Sequence, residues 1–283
     1  MHLTLGHTPD ADDAFMFYAL TKGLVTSPDI SFEHILQDIE TLNQRALRAE
    51  LDVTAVSVHA FAYCHKLYAV LPCGASFGVN FGPRLVGPRS LTPEQIARSR
   101  IAIPGKMTSA FLALLLYLKK RPGDLNLIEV PYEQVIPTIQ NQQADIGLVI
   151  HEAQLTYPDH GLTLSLDLAA WWAQETGGLP LPLGLNVIRK SFDLRFKRQV
   201  AKLIRSSIQF ALDHRPEALE YAQQFSRGTP TSLTDEFISR YVNDVTLYLT
   251  PEATQSLRIF LDRAADAGLT PAVRNINLEF VKA

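Results

Sequence analysis

Apolar and polar positions along this chain switch between two periods. Short apolar, β-branched runs, the mark of buried strands, recur at residues 2–6, 30–35, 51–56, 67–72, 83–87, 100–104, 125–130, 145–150, 162–168 and 183–188. Between them the apolar residues fall at helical spacing. Helices are predicted over 13–22, stopped by Gly23, and over 38–48, where Asp38 is the N-cap and Ile39, Leu42 and Leu47 share a side. Further helices are predicted over 57–65, which Ser57 can cap, over 108–120, around Trp171-Trp172, and over 132–142 despite Pro137. Thr92-Pro93-Glu94-Gln95 opens another, with proline in its first turn. From Leu194 onward the chain reads as nearly all helix: Phe196, Val200, Leu203, Ile204 and Ile208 recur at helical spacing, and 216–225, 232–243 and 251–267 follow suit.

Alternating strands and helices predict an α/β fold with mostly parallel sheet and helices on both faces. A second set of such units begins near Leu91, and the strand at 183–188 returns toward the first. The expected architecture is bilobal, two α/β lobes with a cleft between them. Residues 1–90 and 188–283 would form a large, discontinuous lobe and residues 91–187 a small one.

Composition narrows the classes of partner. The chain has 283 residues, 47% hydrophobic and 19% charged, which is ample for a packed core and excludes a disordered protein. The net charge of -3 comes without any basic run, so nucleic acid is not an expected partner. The densest apolar run, 110–118, ends at Lys119-Lys120-Arg121 and falls short of the ~20 residues of a membrane span. Cys64 and Cys73 make neither a disulfide framework nor a metal knuckle and read as reduced structural thiols. The strand pattern starts at residue 2 with no leader pattern ahead of it, so a cytoplasmic location is expected.

Ligands of open α/β folds bind at the carboxyl ends of the strands, and the candidate chemistry lies there. His151 follows the run Asp145-Ile146-Gly147-Leu148-Val149-Ile150 and carries the side chain that titrates nearest neutrality, which makes it the first candidate for a general base. Glu152 could orient it or point to the other face. The loop His7-Thr8-Pro9-Asp10-Ala11-Asp12-Asp13 joins a strand to a helix, and Thr8 and Asp10 are candidate ligand contacts. Capping and the helix dipole explain acids there equally well. Ser57, and Thr108 with Ser109 after Gly105, each open a helix at a strand end, where free N–H groups suit an anion; plain N-capping is the alternative. His59 reads as a packed or surface residue. One of the paired tryptophans could line a pocket, but a core role is the better reading. The acids of the first loop make a metal site conceivable, but no second acidic cluster supports it. There is no P-loop, zincin motif, dinucleotide fingerprint or nucleophile elbow.

Several segments together resemble a known family. Ile150-His151-Glu152 with Thr156-Tyr157-Pro158, Trp171-Trp172 and Gly178-Leu179-Pro180-Leu181-Pro182-Leu183-Gly184 are similar to the 1,4-dihydroxy-6-naphthoate synthases of the futalosine route to menaquinone. Phe15-Met16-Phe17-Tyr18-Ala19-Leu20, Asp38-Ile39-Glu40-Thr41-Leu42-Asn43 and Tyr241-Val242-Asn243 fit the same family. The resemblance implies a type II periplasmic-binding-protein-like fold used as a cytosolic lyase. It implies cyclic dehypoxanthinyl futalosine as substrate and 1,4-dihydroxy-6-naphthoate as product, with no metal or organic cofactor. It implies His151 as the base and ligand contacts at Ser57, Thr108 and Ser109. One departure stands out: where the family's first loop often reads Ser-Pro-Cys-Pro-Asn-Asp-Thr-Phe, this chain has Thr8-Pro9-Asp10-Ala11-Asp12-Asp13-Ala14-Phe15. Chorismate dehydratase, of the same fold and pathway, and a non-catalytic solute-binding protein remain alternatives.

Overall fold

The strands, seen in a computed structural model that describes residues 1–273 and Ile276, run in the order β1 (His2–His7), β2 (Ser31–Leu36), β3 (Val53–Ser57), β4 (Tyr68–Val70), β5 (Ser76–Gly78), β6 (Arg84–Gly87), β7 (Arg100–Ile103), β8 (Asn126–Glu129), β9 (Ile146–Val149), β10 (Thr163–Asp167) and β11 (Leu181–Arg189). They form two sheets. The first is ordered β2-β1-β3-β11-β4, with β5 also on β11; the second is ordered β10-β6-β9-β7-β8. The centre of each sheet is parallel, β1 with β2 and β3, β7 with β8 and β9. The crossing strands β6 and β11 pair antiparallel with their neighbours, because each enters its sheet from the other lobe.

The sheets do not divide the chain at the expected 90/91 and 187/188. β6 hydrogen-bonds in the second sheet and the whole of β11 in the first, so each crossing strand belongs to the lobe it enters. The final stretch of the expected large lobe lies partly outside the described residues.

Local sequence explains most elements. β9 is Ile-Gly-Leu-Val and buried throughout, as a central strand covered on both faces should be. Asp38 caps the helix Ile39–Leu47 by accepting from Thr41 N–H, and Thr92 forms a capping box with Gln95. Pro137 is tolerated because it is the third residue of the helix Val135–Gln140, in the first turn, where its N–H has no intrahelical acceptor. The preceding Tyr132–Gln134 is a separate 3₁₀ turn, so the predicted helix over 132–142 is shorter and broken. The helix Ser109–Leu118 is apolar nearly all round and packs between the lobes, in one core with Val56, Phe61, Ile101 and Leu148.

The C-terminal helices close the large lobe. Leu194–Asp213 is capped by Asp193 and buries Val200, Ile204 and Ile208 against the helix Ala11–Thr21, each worth about 1.5–3 kcal/mol. Ser207 pins the two helices together, donating to Met16 C=O (2.8 Å) and accepting from Leu20 N–H (3.3 Å). Trp172 is fully buried with Nε1 donating to Ser256 Oγ (2.8 Å), and Trp171 packs edge-on to Tyr117, so the pair serves the core. Among the described residues no helix is long and apolar enough to cross a membrane.

Candidate active site

Four loops leave the carboxyl ends of parallel strands β1, β3, β7 and β9 and converge between the sheets. The cleft they enclose holds about 750 Å³ of space, open solvent at its mouth included. Thr8, Ser57, Thr108, Ser109 and His151 all line it. Its apolar wall includes Met16, Ile39, Ile150, Leu183 and Phe237, which suits a flat ring.

The floor of the cleft is a hydroxyl network. Asn43, wholly buried, donates to Ser57 Oγ (3.0 Å) and accepts from Ser57 N–H (2.8 Å), and its amide also reaches Met107 C=O (3.4 Å). Ser109 Oγ donates to Leu183 C=O (2.5 Å) and accepts from Val58 N–H (2.7 Å). Thr108 caps its helix, accepting from Phe111 N–H (3.2 Å) and donating to Gly105 C=O (2.9 Å). Ser57 stands at an N-cap without a side-chain cap bond; its hydroxyl accepts from Asn43 and its proton has no acceptor among the described residues. The first N–H groups of the helix Ser109–Leu118 have no intrahelical acceptor, and they open onto the cleft. Glu40 holds the loop by accepting from Met107 N–H (3.0 Å); a Cβ on Gly105 would meet Glu40 Oε2 at 2.5 Å, so only glycine fits at that position, where φ is +147°.

The opposite corner is charged. The chain leaves β9 through a turn in which His151 has a φ of +55°, a left-handed conformation that costs a non-glycine residue about 1–2 kcal/mol. Gln154, in the amide orientation that satisfies its neighbours, accepts from His151 N–H (3.1 Å) and donates to Gly82 C=O (2.8 Å), holding that turn. His151 Nδ1 lies 3.2 Å from Asp10 Oδ2, and its Nε2 has no partner among the described residues. Asp10 is almost completely buried and does not line the cleft; it sits behind the imidazole. Glu152 is likewise buried and off the cleft wall, with Oε1 unpartnered among the described residues.

Burial drives the ionisation of this corner. It pushes Asp12 well above the ordinary carboxyl value, reinforced by Asp13, Asp10 and Glu152, and raises Glu152 with help from Asp10. Asp13 is pushed up to about 6 by burial, against the Thr8 N–H (2.6 Å) and hydroxyl (2.8 Å) that it accepts. Burial would raise Asp10 too, but His151 and Arg227 outweigh it and hold the carboxyl below its ordinary value. Asp10, Asp12 and His151 can each bring one ligand atom within 4.8 Å of the others, the geometry of a candidate cation site. Asp10 already spends Oδ1 on Arg227 and Tyr132, and a cation on Oδ2 would displace His151 Nδ1.

Tyr132 and Arg227 join this corner although neither stood out in the sequence. Each contacts Asp10 from more than a hundred residues away, and no local pattern signals such a contact. Asn43 lies within a segment that fits the family resemblance, but a buried asparagine on a helix carries no chemical signature of its own. His59 is a packed residue, buried next to Ser57 and off the cleft wall.

The fold and cleft define the class, a bilobal protein of the periplasmic-binding-protein type. An alkanesulfonate-binding protein from Xanthomonas axonopodis matches with a TM-score of 0.72 at 13% identity, covering 95% of this chain and 94% of that one. Within that class the chain belongs to the menaquinone biosynthesis family, which it matches over residues 3–266. A 1,4-dihydroxy-6-naphthoate synthase of Thermus thermophilus is 34% identical over 96% of this chain and 97% of its own length. Another, from Streptomyces coelicolor, is 33% identical over 96% and 95%. A solved protein of Archaeoglobus fulgidus is 40% identical, with a TM-score of 0.90 over 95% of this chain and 98% of that one.

Proposed function

We propose that this chain is a carbon–carbon lyase, a 1,4-dihydroxy-6-naphthoate synthase that converts cyclic dehypoxanthinyl futalosine to 1,4-dihydroxy-6-naphthoate, with His151 as general base. The observation that carries the reading is His151 itself. A histidine that lines the cleft from a left-handed turn, with one ring nitrogen against a carboxylate and the other buried and unpartnered among the described residues, is built as a base. Nε2 takes a proton from the sugar-derived part of the substrate. A carbon–carbon bond then breaks in a retro-aldol sense, and aromatisation of the naphthalene ring draws the sequence forward. The apolar wall takes the ring. The free N–H groups at Ser109 and Ala110 and the Ser57 hydroxyl take carboxylate or hydroxyl oxygens. Thr8 lines the same cleft. Closure of the lobes excludes water and aligns the base. A cytoplasmic setting belongs to the same reading, and the two free, buried thiols Cys64 and Cys73 fit a reducing compartment.

The test is incubation of the purified chain, separately, with cyclic dehypoxanthinyl futalosine and with chorismate, the products being identified by mass. The naphthoate from the first substrate alone is the expected result. Turnover of chorismate instead would make the chain a chorismate dehydratase. Binding without turnover of either would make it a solute-binding protein.

A further inference from the structure

The cleft wall leaves Asp10 unexplained. Its side chain is 1% exposed, and although it stands at the N-cap of the helix Ala11–Thr21 it makes no side-chain cap hydrogen bond. Oδ1 instead accepts from Arg227 Nη1 at 2.8 Å and from the Tyr132 hydroxyl at 3.0 Å. Those two bonds leave Oδ2 facing His151 Nδ1 at 3.2 Å, an ion-pair contact without hydrogen-bond geometry. The Tyr132 ring stands edge-on to the imidazole with centroids 4.7 Å apart, and the Arg227 guanidinium lies 4.8 Å from the Tyr132 centroid. Carboxylate, phenol, guanidinium and imidazole brace one another.

These four groups come from both sides of the cleft. Asp10 follows β1 and Arg227 follows the helix Arg215–Gln223, both in the large lobe; Tyr132 follows β8 and His151 follows β9, both in the small one. We propose that Asp10 is a positioning residue for His151, and that closing the lobes is what assembles the pair. The proposal rests on the reading of His151 as the base. A carboxylate at Nδ1 keeps the ring proton on that nitrogen and leaves the lone pair on Nε2, the atom without a protein partner. When Nε2 accepts a proton, the same carboxylate stabilises the imidazolium. With the lobes apart the imidazole loses both orientation and counter-charge, so the base is armed in the closed arrangement seen here and disarmed when the lobes part. Asp10 is suited to this because its neighbours keep it ionised despite burial. The other charged or titratable groups near the imidazole are Asp12 and Asp13 on the same loop, Glu152 next in the chain, and Tyr132 and Arg227 from the elements packed against it.

Asp10→Asn keeps an oxygen for Arg227 and Tyr132 and removes the charge. In the full chain, kcat should fall at least ~100-fold while KM changes less than about threefold, since Asp10 does not line the cleft. The acid limb of the kcat profile should move to lower pH, because the imidazolium loses its counter-charge. Arg227→Gln should move that limb the other way, toward higher pH. Nitrogen-15 NMR of the imidazole reads the pair without substrate: the wild type should show the Nδ1-protonated tautomer and Asp10→Asn a mixture. An unmoved limb with unchanged kcat, or the same tautomer in both proteins, overturns the proposal. If the wild-type chain turns over no substrate, the functional reading falls, and the tautomer comparison still decides the pairing. If Asp10→Asn fails to fold, Arg227→Gln decides, and an unmoved limb there overturns it.

Discussion

The two sides of the cleft are built on opposite principles. On the floor, around Ser57, Thr108 and Ser109, nearly every hydroxyl and amide has a named partner, and the groups are neutral. In the corner, around His151, the carboxyls of Asp10, Asp12, Asp13 and Glu152 crowd together with Arg227 as the positive side chain bonded among them, and several polar atoms lack partners among the described residues. A satisfied network rigidifies, whereas buried charge held in a strained turn costs stability and shifts proton affinities. The floor therefore reads as the part that shapes and holds, the corner as the part that reacts. Variants should separate the two, the corner losing turnover at little cost in stability and the floor losing stability first.

The largest effect should come from His151. General-base catalysis is worth about 10²–10⁴-fold, so His151→Asn should lose at least that much kcat while keeping the fold, because asparagine tolerates the left-handed backbone. His151→Gly should lose as much activity and gain about 1 kcal/mol in urea unfolding, by releasing the strain. Near-wild-type turnover in either variant would remove His151 from the chemistry. On the floor, Asn43→Ala orphans the buried Ser57 N–H and loosens Met107 C=O. At about 1–3 kcal/mol for each buried group left unpaired, it should lower unfolding stability by roughly 3 kcal/mol. An Asn43→Ala protein as stable as the wild type, yet inactive, would erase the contrast between floor and corner.

Sequence periodicity carried the α/β architecture and the strand ends because those signals are local. The runs before His151 and Ser57 and the turn before Thr108 each announce a strand or helix boundary within a few residues. It did not carry the sheet membership of β6 and β11, which depends on where a strand pairs and not on what it contains. The same limit divides the site. Thr8, Ser57, Thr108, Ser109 and His151 stand at strand ends and were found there; Tyr132 and Arg227 meet Asp10 only through tertiary packing. Asp10 was singled out as a ligand contact, and its burial behind the imidazole is set by Arg227, 217 residues away. The left-handed turn at His151 carries only a faint sequence signal, since histidine is enriched at positive φ but glycine is the residue that marks that backbone.

A further contrast between corner and floor is a difference in sign with pH. Burial raises Asp13 to about 6 from 3.8, so between those values the folded chain holds a proton that the unfolded chain has lost. Its contribution to stability is present below pH 4 and is lost as pH rises through 6. Burial lowers His59, beside the floor, to about 4 from 6.5, with the Thr108 backbone opposing. That contribution is present above pH 6.5 and is lost as pH falls toward 4. Asp13→Asn keeps an acceptor for Thr8 and should stabilise the chain at pH 7 by on the order of 2 kcal/mol, with a smaller gain toward pH 4. His59→Gln should instead flatten the loss of stability on acidification. Thermal unfolding of both variants between pH 4.5 and 7 measures the two slopes. Slopes of the same sign would mean that corner and floor do not differ in how they hold buried titratable groups.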